Sequence, residues 1–196
     1  MKSCPTAYSR ETVRPGVRLF ARKRQTILFV GMLLVAGMNW CSAQVCDLYP
    51  IALSETSLSG IAANELIPDM LNGSQAGNFG WLTWGGSPSV PVLVASLTPP
   101  GDSQTYVNPD DPQDRVISVG DWVQGKPGVS NSKNVRDALD VLKTQDIIVP
   151  VWDQVRGQGN NADYRVCAFA RIRWESYQLP GQNRISPRFF AFLPRS

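Results

Sequence analysis

The chain has 196 residues, 43 % apolar and 18 % charged, and contains no histidine. That length is one domain with or without an appendage, and the missing imidazole excludes Ser-His-Asp and Cys-His catalysis, HExxH zinc sites and His-containing zinc fingers. Residues 1–25 carry Lys2, Arg10, Arg14, Arg18, Arg22, Lys23 and Arg24 against Glu11, so the remainder of this +3 chain is net negative; its basic isoelectric point is no argument for nucleic-acid binding.

Arg22-Lys23-Arg24 precedes residues 26–40, an apolar run without charge. A basic region, an apolar run and small residues after it define a secretory signal peptide, here residues 1–43, with Cys41-Ser42-Ala43 directing cleavage before Gln44. A spanning helix needs about 20 apolar residues, so this run is short for an anchor; a retained signal-anchor is the alternative. The expected product, residues 44–196, is a single exported globular domain, secreted or periplasmic/extracellular by bacterial-type export, with no membrane span after cleavage. It retains Cys46 and Cys167. Two cysteines in an exported domain suggest one bridge from its first segment to a late strand; two unpaired, partly buried thiols are the other reading. Without a histidine to activate it, neither is expected to be a catalytic nucleophile.

Residues 46–53 read as a first strand, and 54–63 as holding one short helical turn. Asn72-Gly73 marks a turn. Residues 79–84 form a short strand flanked by glycines, while 90–97 suit strand or helix. Residues 98–114 form a polar loop with four prolines and few apolar side chains, expected to be the most mobile part of the mature chain. Residues 116–124 alternate as a strand. Over 132–144, Val135, Ala138, Leu139 and Leu142 make one apolar stripe, with Ser132 to cap it and Arg136–Asp140 as an i,i+4 pair. Residues 146–155 and 164–177 are the strongest strands, joined by a Gly/Asn loop at 157–161, and 186–193 supply the last. Together these predict an α+β, predominantly antiparallel domain, a single compact sandwich or barrel with one amphipathic helix.

Charge is divided along the chain. Residues 44–114 hold eight acids and no Lys or Arg; residues 115–196 hold twelve basic and seven acidic residues. The plain expectation is that the halves neutralise each other on folding; the sharper one is a polar docking surface. Asp102, Asn108, Asp110, Asp111 and Asp114 bring hard oxygens close together, as Ca²⁺ prefers, although the spacing is not that of an EF-hand and Asx-Pro runs also simply make turns. Trp81, Trp84 and Trp122 are candidates for stacking a sugar, against the ordinary use of strand tryptophans in cores. No carboxylate pair or Ser/Lys dyad is singled out by spacing, so no catalytic residue and no cofactor is expected.

Residues 77–86 read GNFGWLTWGG; SVGDWVQGKPGVSNSKNVRDALD, IIVPVWD and GNNADYRVCAFARI follow in order at 118–140, 147–153 and 159–172. This succession resembles the C-terminal globular domain of TadE/TadG-like proteins of Flp (tight-adherence) pilus assembly, over about residues 46–192. The family's membrane anchor and longer intervening region are not matched. The resemblance implies an envelope or extracellular module and carries over no catalytic residues. The expectation is therefore a secreted or envelope-associated non-enzymatic surface or assembly domain, connected with pilus assembly or adhesion, whose partner is another envelope or surface protein. The alternative is an extracellular module binding carbohydrate or Ca²⁺.

Overall fold

In a computed structural model of the chain, the described residues are 47–126, 130–158, 162–179 and 181–193. Residues 1–43, read as a signal peptide, and Cys46 lie outside them. The described residues belong to one compact unit. Their elements are β1 (Ile51–Ser54), α1 (Glu55–Leu58), β2 (Glu65–Leu66), β3 (Met70–Leu71), β4 (Phe79–Trp81), α2 (Val90–Leu97), β5 (Trp122–Gln124), α3 (Lys133–Leu142), β6 (Asp146–Arg156), β7 (Asp163–Gln178) and β8 (Arg184–Phe192), with a 3₁₀ turn at Ser103–Thr105.

The long β6–β7 hairpin is the frame. Its sixteen-residue second strand pairs antiparallel with β6, with β8 along its later half and with β5 along its start. β2 and β3 edge β8, while β1 joins the far side of β6 and then β4. The sheet-dominated α+β class read from the sequence is the one that forms. Two features add detail to it: β1 and β6 run parallel within the otherwise antiparallel strand pairs, and α1 and α2 accompany the amphipathic α3. Residues 90–97 resolve as helix because Ser89 caps them, its Oγ accepting from Val92 N–H at 3.4 Å, with a proline in the first turn, where its missing donor costs nothing. The strand read over 116–124 shortens to three residues, because Asp121 turns the chain first by accepting from Ser118 N–H at 2.6 Å.

Part of the sheet closes on itself. Leu82, just past β4, pairs antiparallel with Gly125, just past β5; Thr83 N–H donates to Gln124 O at 2.9 Å and Lys126 N–H to Trp81 O at 2.7 Å. Strands β4, β1, β6, β7 and β5 thus form a small ring, the barrel-like part of the architecture. Tyr164 crosses its interior from β7. A Cβ on Gly80 would lie 2.5 Å from Tyr164 Cζ, and one on Gly125 2.8 Å from Tyr164 Cε2. Both positions must be glycine for the ring to close around this side chain.

Two buried clusters follow. One contains Ala52, Leu82, Trp84, Tyr106, Val123, Trp152, Tyr164 and Val166, drawn largely from the strands of the ring. The larger one joins Leu93 and Leu97 of α2 and the stripe of α3 to Ile147, Val149, Ala170, Ile172 and Trp174 of the hairpin. The α3 stripe is Val135, Ala138, Leu139 and Leu142, as the spacing predicts, and Ser132 Oγ accepts from Val135 N–H at 3.3 Å. The Arg136–Asp140 pair does not form. Arg136 donates to Asn131, while Asp140 receives Lys143 at 2.7 Å and the Tyr177 hydroxyl at 3.0 Å.

Two outcomes test this packing. Leu139 is fully buried, so Leu139→Asp places a carboxylate where nothing can pair with it and costs several kcal/mol, about 3 or more; Asp140→Ala removes only surface contacts and costs less than about 1 kcal/mol. Thermal melts of the two variants check this, and equal midpoints would refute the assignment of the helix face. Gly80→Ala is expected to cost about 1–3 kcal/mol by overpacking, and the penalty should shrink in a Tyr164→Leu background, a coupling readable in a double-mutant cycle.

Candidate functional site

The proline-rich loop is tied down, contrary to the mobility its composition suggests. Tyr106 is fully buried, and its hydroxyl donates to Trp122 O at 2.9 Å. Val107 N–H donates to Trp84 O at 2.9 Å. One aromatic side chain entering the core outweighs the polar residues around it. At the other end of the loop, Arg156 forms a clamp. Its guanidinium grips Asp110 with two bonds of 2.8 and 2.6 Å, reaches Asp163 at 3.0 Å and lies 4.6 Å from the centre of the Trp122 ring.

The five oxygen donors proposed for Ca²⁺ fall in this loop without converging. Asp110 is held by Arg156, whose hydrogen bond keeps its carboxyl below the usual carboxylate range. Asp111 accepts from Gln113 N–H at 3.0 Å. Asp114 accepts from Asn108 Nδ2 and from Val116 N–H, each at 3.0 Å, and these bonds lower its carboxyl too. Asn108 also turns the chain by accepting from Asp110 N–H. Asp102 is half-buried at the start of the 3₁₀ turn. Asn108, Asp110, Asp111 and Asp114 thus close Asx turns and an ion pair, the uses such runs ordinarily have, while Asp102 makes no side-chain cap to its turn.

The tryptophans are also placed against a stacking role. Trp81 and Trp84 are 1 % exposed, so neither offers a face to a ligand, and Trp152 and Trp174 are likewise buried. Trp122 is half-buried with Arg156 against it.

A cluster that spacing did not reveal lies where β6 and β7 slip register. Val151 faces Ala168 and Trp152 faces Val166, so Cys167 is an extra residue on β7; Gln154 then faces Arg165, so Asp153 is an extra residue on β6. These adjacent bulges turn both side chains toward Glu55 of α1, and the three ligand atoms lie within 4.8 Å of one another. Asp153 is already engaged by the Arg165 guanidinium through both oxygens. That ion pair already neutralises Asp153, the one carboxylate the strands bring to the set, which weighs against a metal there. Only the register slip brings these residues together, and alternation along either strand carries no sign of it. Cys167 is buried; its suggested partner Cys46 lies outside the described residues.

The uncovered face of the sheet is the third feature. Arg171, Arg173 and Glu175 are exposed and alternate with buried Ala170, Ile172 and Trp174. Arg171 and Arg173 flank the Phe190 ring at 5.7 and 5.4 Å. Arg173 and Arg188 face each other across β7 and β8, a repulsive pairing relieved by Asp146 at 2.6 Å and Glu175 at 2.6 Å. Of seven ion pairs among the described residues, Arg156–Asp110 is the one that joins the acidic half to the basic half. The halves therefore neutralise each other much less than their proximity in one fold suggests. No helix among the described residues is long and apolar enough to cross a membrane.

No family model, curated protein or solved structure matches the chain.

Two measurements probe the loop. Arg156→Ala should open residues 107–116 to protease, with Arg156→Lys only partly protective because a single ammonium cannot make the two-bond grip. The clamp's pH dependence follows from its sign. The Asp110 carboxyl is lowered in the folded state, so its contribution is present at neutral pH and is lost as pH falls below about 4; protease nicking in acid should rise there in the parent protein and stay flat in Arg156→Ala. Millimolar Ca²⁺ against chelator should leave the melting temperature unchanged; a rise of several degrees would assign the loop to Ca²⁺.

Proposed function

We propose that the chain is an exported, non-enzymatic surface or assembly domain of the cell envelope, related to TadG-like proteins of Flp pilus assembly, and that it acts by binding another envelope protein. The observation that carries this reading is where the motif residues lie. Gly80 and Trp81 of GNFGWLTWGG serve ring closure and the core, Val135 and Leu139 of the VRDAL segment pack the helix, and Tyr164 and Val166 fill the ring. Shared motifs that build a scaffold favour a module that presents surface. The same placement weakens the carbohydrate or Ca²⁺ alternative.

The test is made in the native host. A C-terminally tagged chain is followed by fractionation and by protease added to intact cells, and deletion of its gene is scored for adherence and surface fibres. The expected outcome is an exported species beginning at Gln44 by intact mass, with adherence lost on deletion. A chain confined to the cytoplasm, or unaltered adherence and fibres after deletion, would overturn the reading.

A further inference from the structure

The charge organisation points to a partner. The loop at 98–121 carries Asp102, Asp110, Asp111, Asp114 and Asp121 against Arg115, and it sits beside the start of β7 through the Arg156 bridge to Asp163. It also carries Val116, 62 % exposed, the most exposed large apolar side chain among the described residues, with Val119 nearby at 39 %. The uncovered sheet face presents Arg171, Arg173 and Arg188 against Asp146 and Glu175, with Phe190 between two guanidiniums and half-buried Ile148 on β6. Among the described residues no carboxylate pairs with Arg171. One surface is acidic with an apolar tip; the other is basic with an aromatic floor. Asp163 and Arg173 stand ten positions apart on one strand, about 33 Å at the strand rise, too far for the two surfaces of one molecule to meet.

We propose that copies of this domain associate head to tail, the 107–119 loop of one copy seated on the Arg171–Arg173–Phe190 face of the next. The proposal rests on the assembly reading and deepens it by naming the partner as a second copy. Because each copy carries both surfaces and they are different patches, the contact is heterologous: it leaves one free surface at each end and propagates unless the rotation closes a ring. Carboxylates meet guanidiniums while Val116 meets the Phe190 ring, so charge sets the register and rate of encounter and the apolar contact is removed from water.

The exported protein is examined by sedimentation velocity over a concentration series in about 0.01 M and about 1 M salt, where the screening length falls from about 30 Å to about 3 Å. Concentration-dependent association at low salt, weakened about tenfold or more at high salt, is expected. Arg171→Glu and Asp111→Lys, both exposed and checked for an unchanged circular dichroism spectrum, should each sediment as monomers, with Arg171→Gln intermediate. An equimolar mixture of Arg171→Glu and Asp111→Lys should associate again, because the intact loop of the first fits the intact face of the second and the two reversed charges attract each other at the remaining contact. A protein monomeric at every concentration at low salt, association indifferent to salt and to both substitutions, or a mixture that stays monomeric would each overturn the proposal. A monomeric chain whose Arg171 face cross-links in cells to a different envelope protein would overturn the head-to-tail contact and leave the assembly reading standing.

Discussion

The fold depends on one close approach: the Tyr164 ring lying against backbone at Gly80 and Gly125. If either glycine carried a Cβ, β4 and β5 could not both come near the hairpin, and Leu82 could not reach Gly125. With that bridge open, β5 would lose one of its two neighbours, and Tyr106, which hangs from Trp122 O, would lose its pocket wall. The aromatic side chain acts as a spacer that fixes the ring's width, and the glycines act as the seats that accept it.

The sequence is legible where a single element decides its own structure. The α3 stripe and its Ser132 cap emerge from 3.6-residue spacing, and the hairpin from alternation over two long apolar runs. What escapes is set by contacts distant in the chain. Nothing local tells that β1 will run parallel to β6, since a crossover of almost a hundred residues separates them. The paired bulges at Asp153 and Cys167 depend on how two strands pair with each other, and alternation along either strand gives no warning. Composition cannot show how the loop at 98–114 is held, because it averages over residues, whereas anchoring depends on one tyrosine and one distant arginine.

The electrostatics show a similar division between local and distant effects. Most ion pairs are short-range: Lys133–Asp137 along a helix, or Arg173–Asp146 across neighbouring strands. Such pairs satisfy much of the basic half from within, and Asp110 is the carboxylate of the first half that the ion pairs among the described residues reach. Exposed pairs of this type contribute little to stability; their larger effect is on where uncompensated charge remains. The molecule is electrically lopsided although its net charge is small.

The parallel pairing of β1 with β6 also has a consequence in time. Chain order places β1 and β4 well ahead of their ring partners β6 and β7, which span residues 146–156 and 163–178. Until the hairpin exists, the apolar run Ile51–Leu53 and the tryptophans at 81 and 84 have only each other to pack against, and no ring to enter. Such non-local closure is slow and leaves apolar edge exposed while it waits. A chain wired in this way stays open longest during synthesis, the state in which a polypeptide can still be threaded through a narrow pore, and it commits to its final shape only once its last strands have emerged.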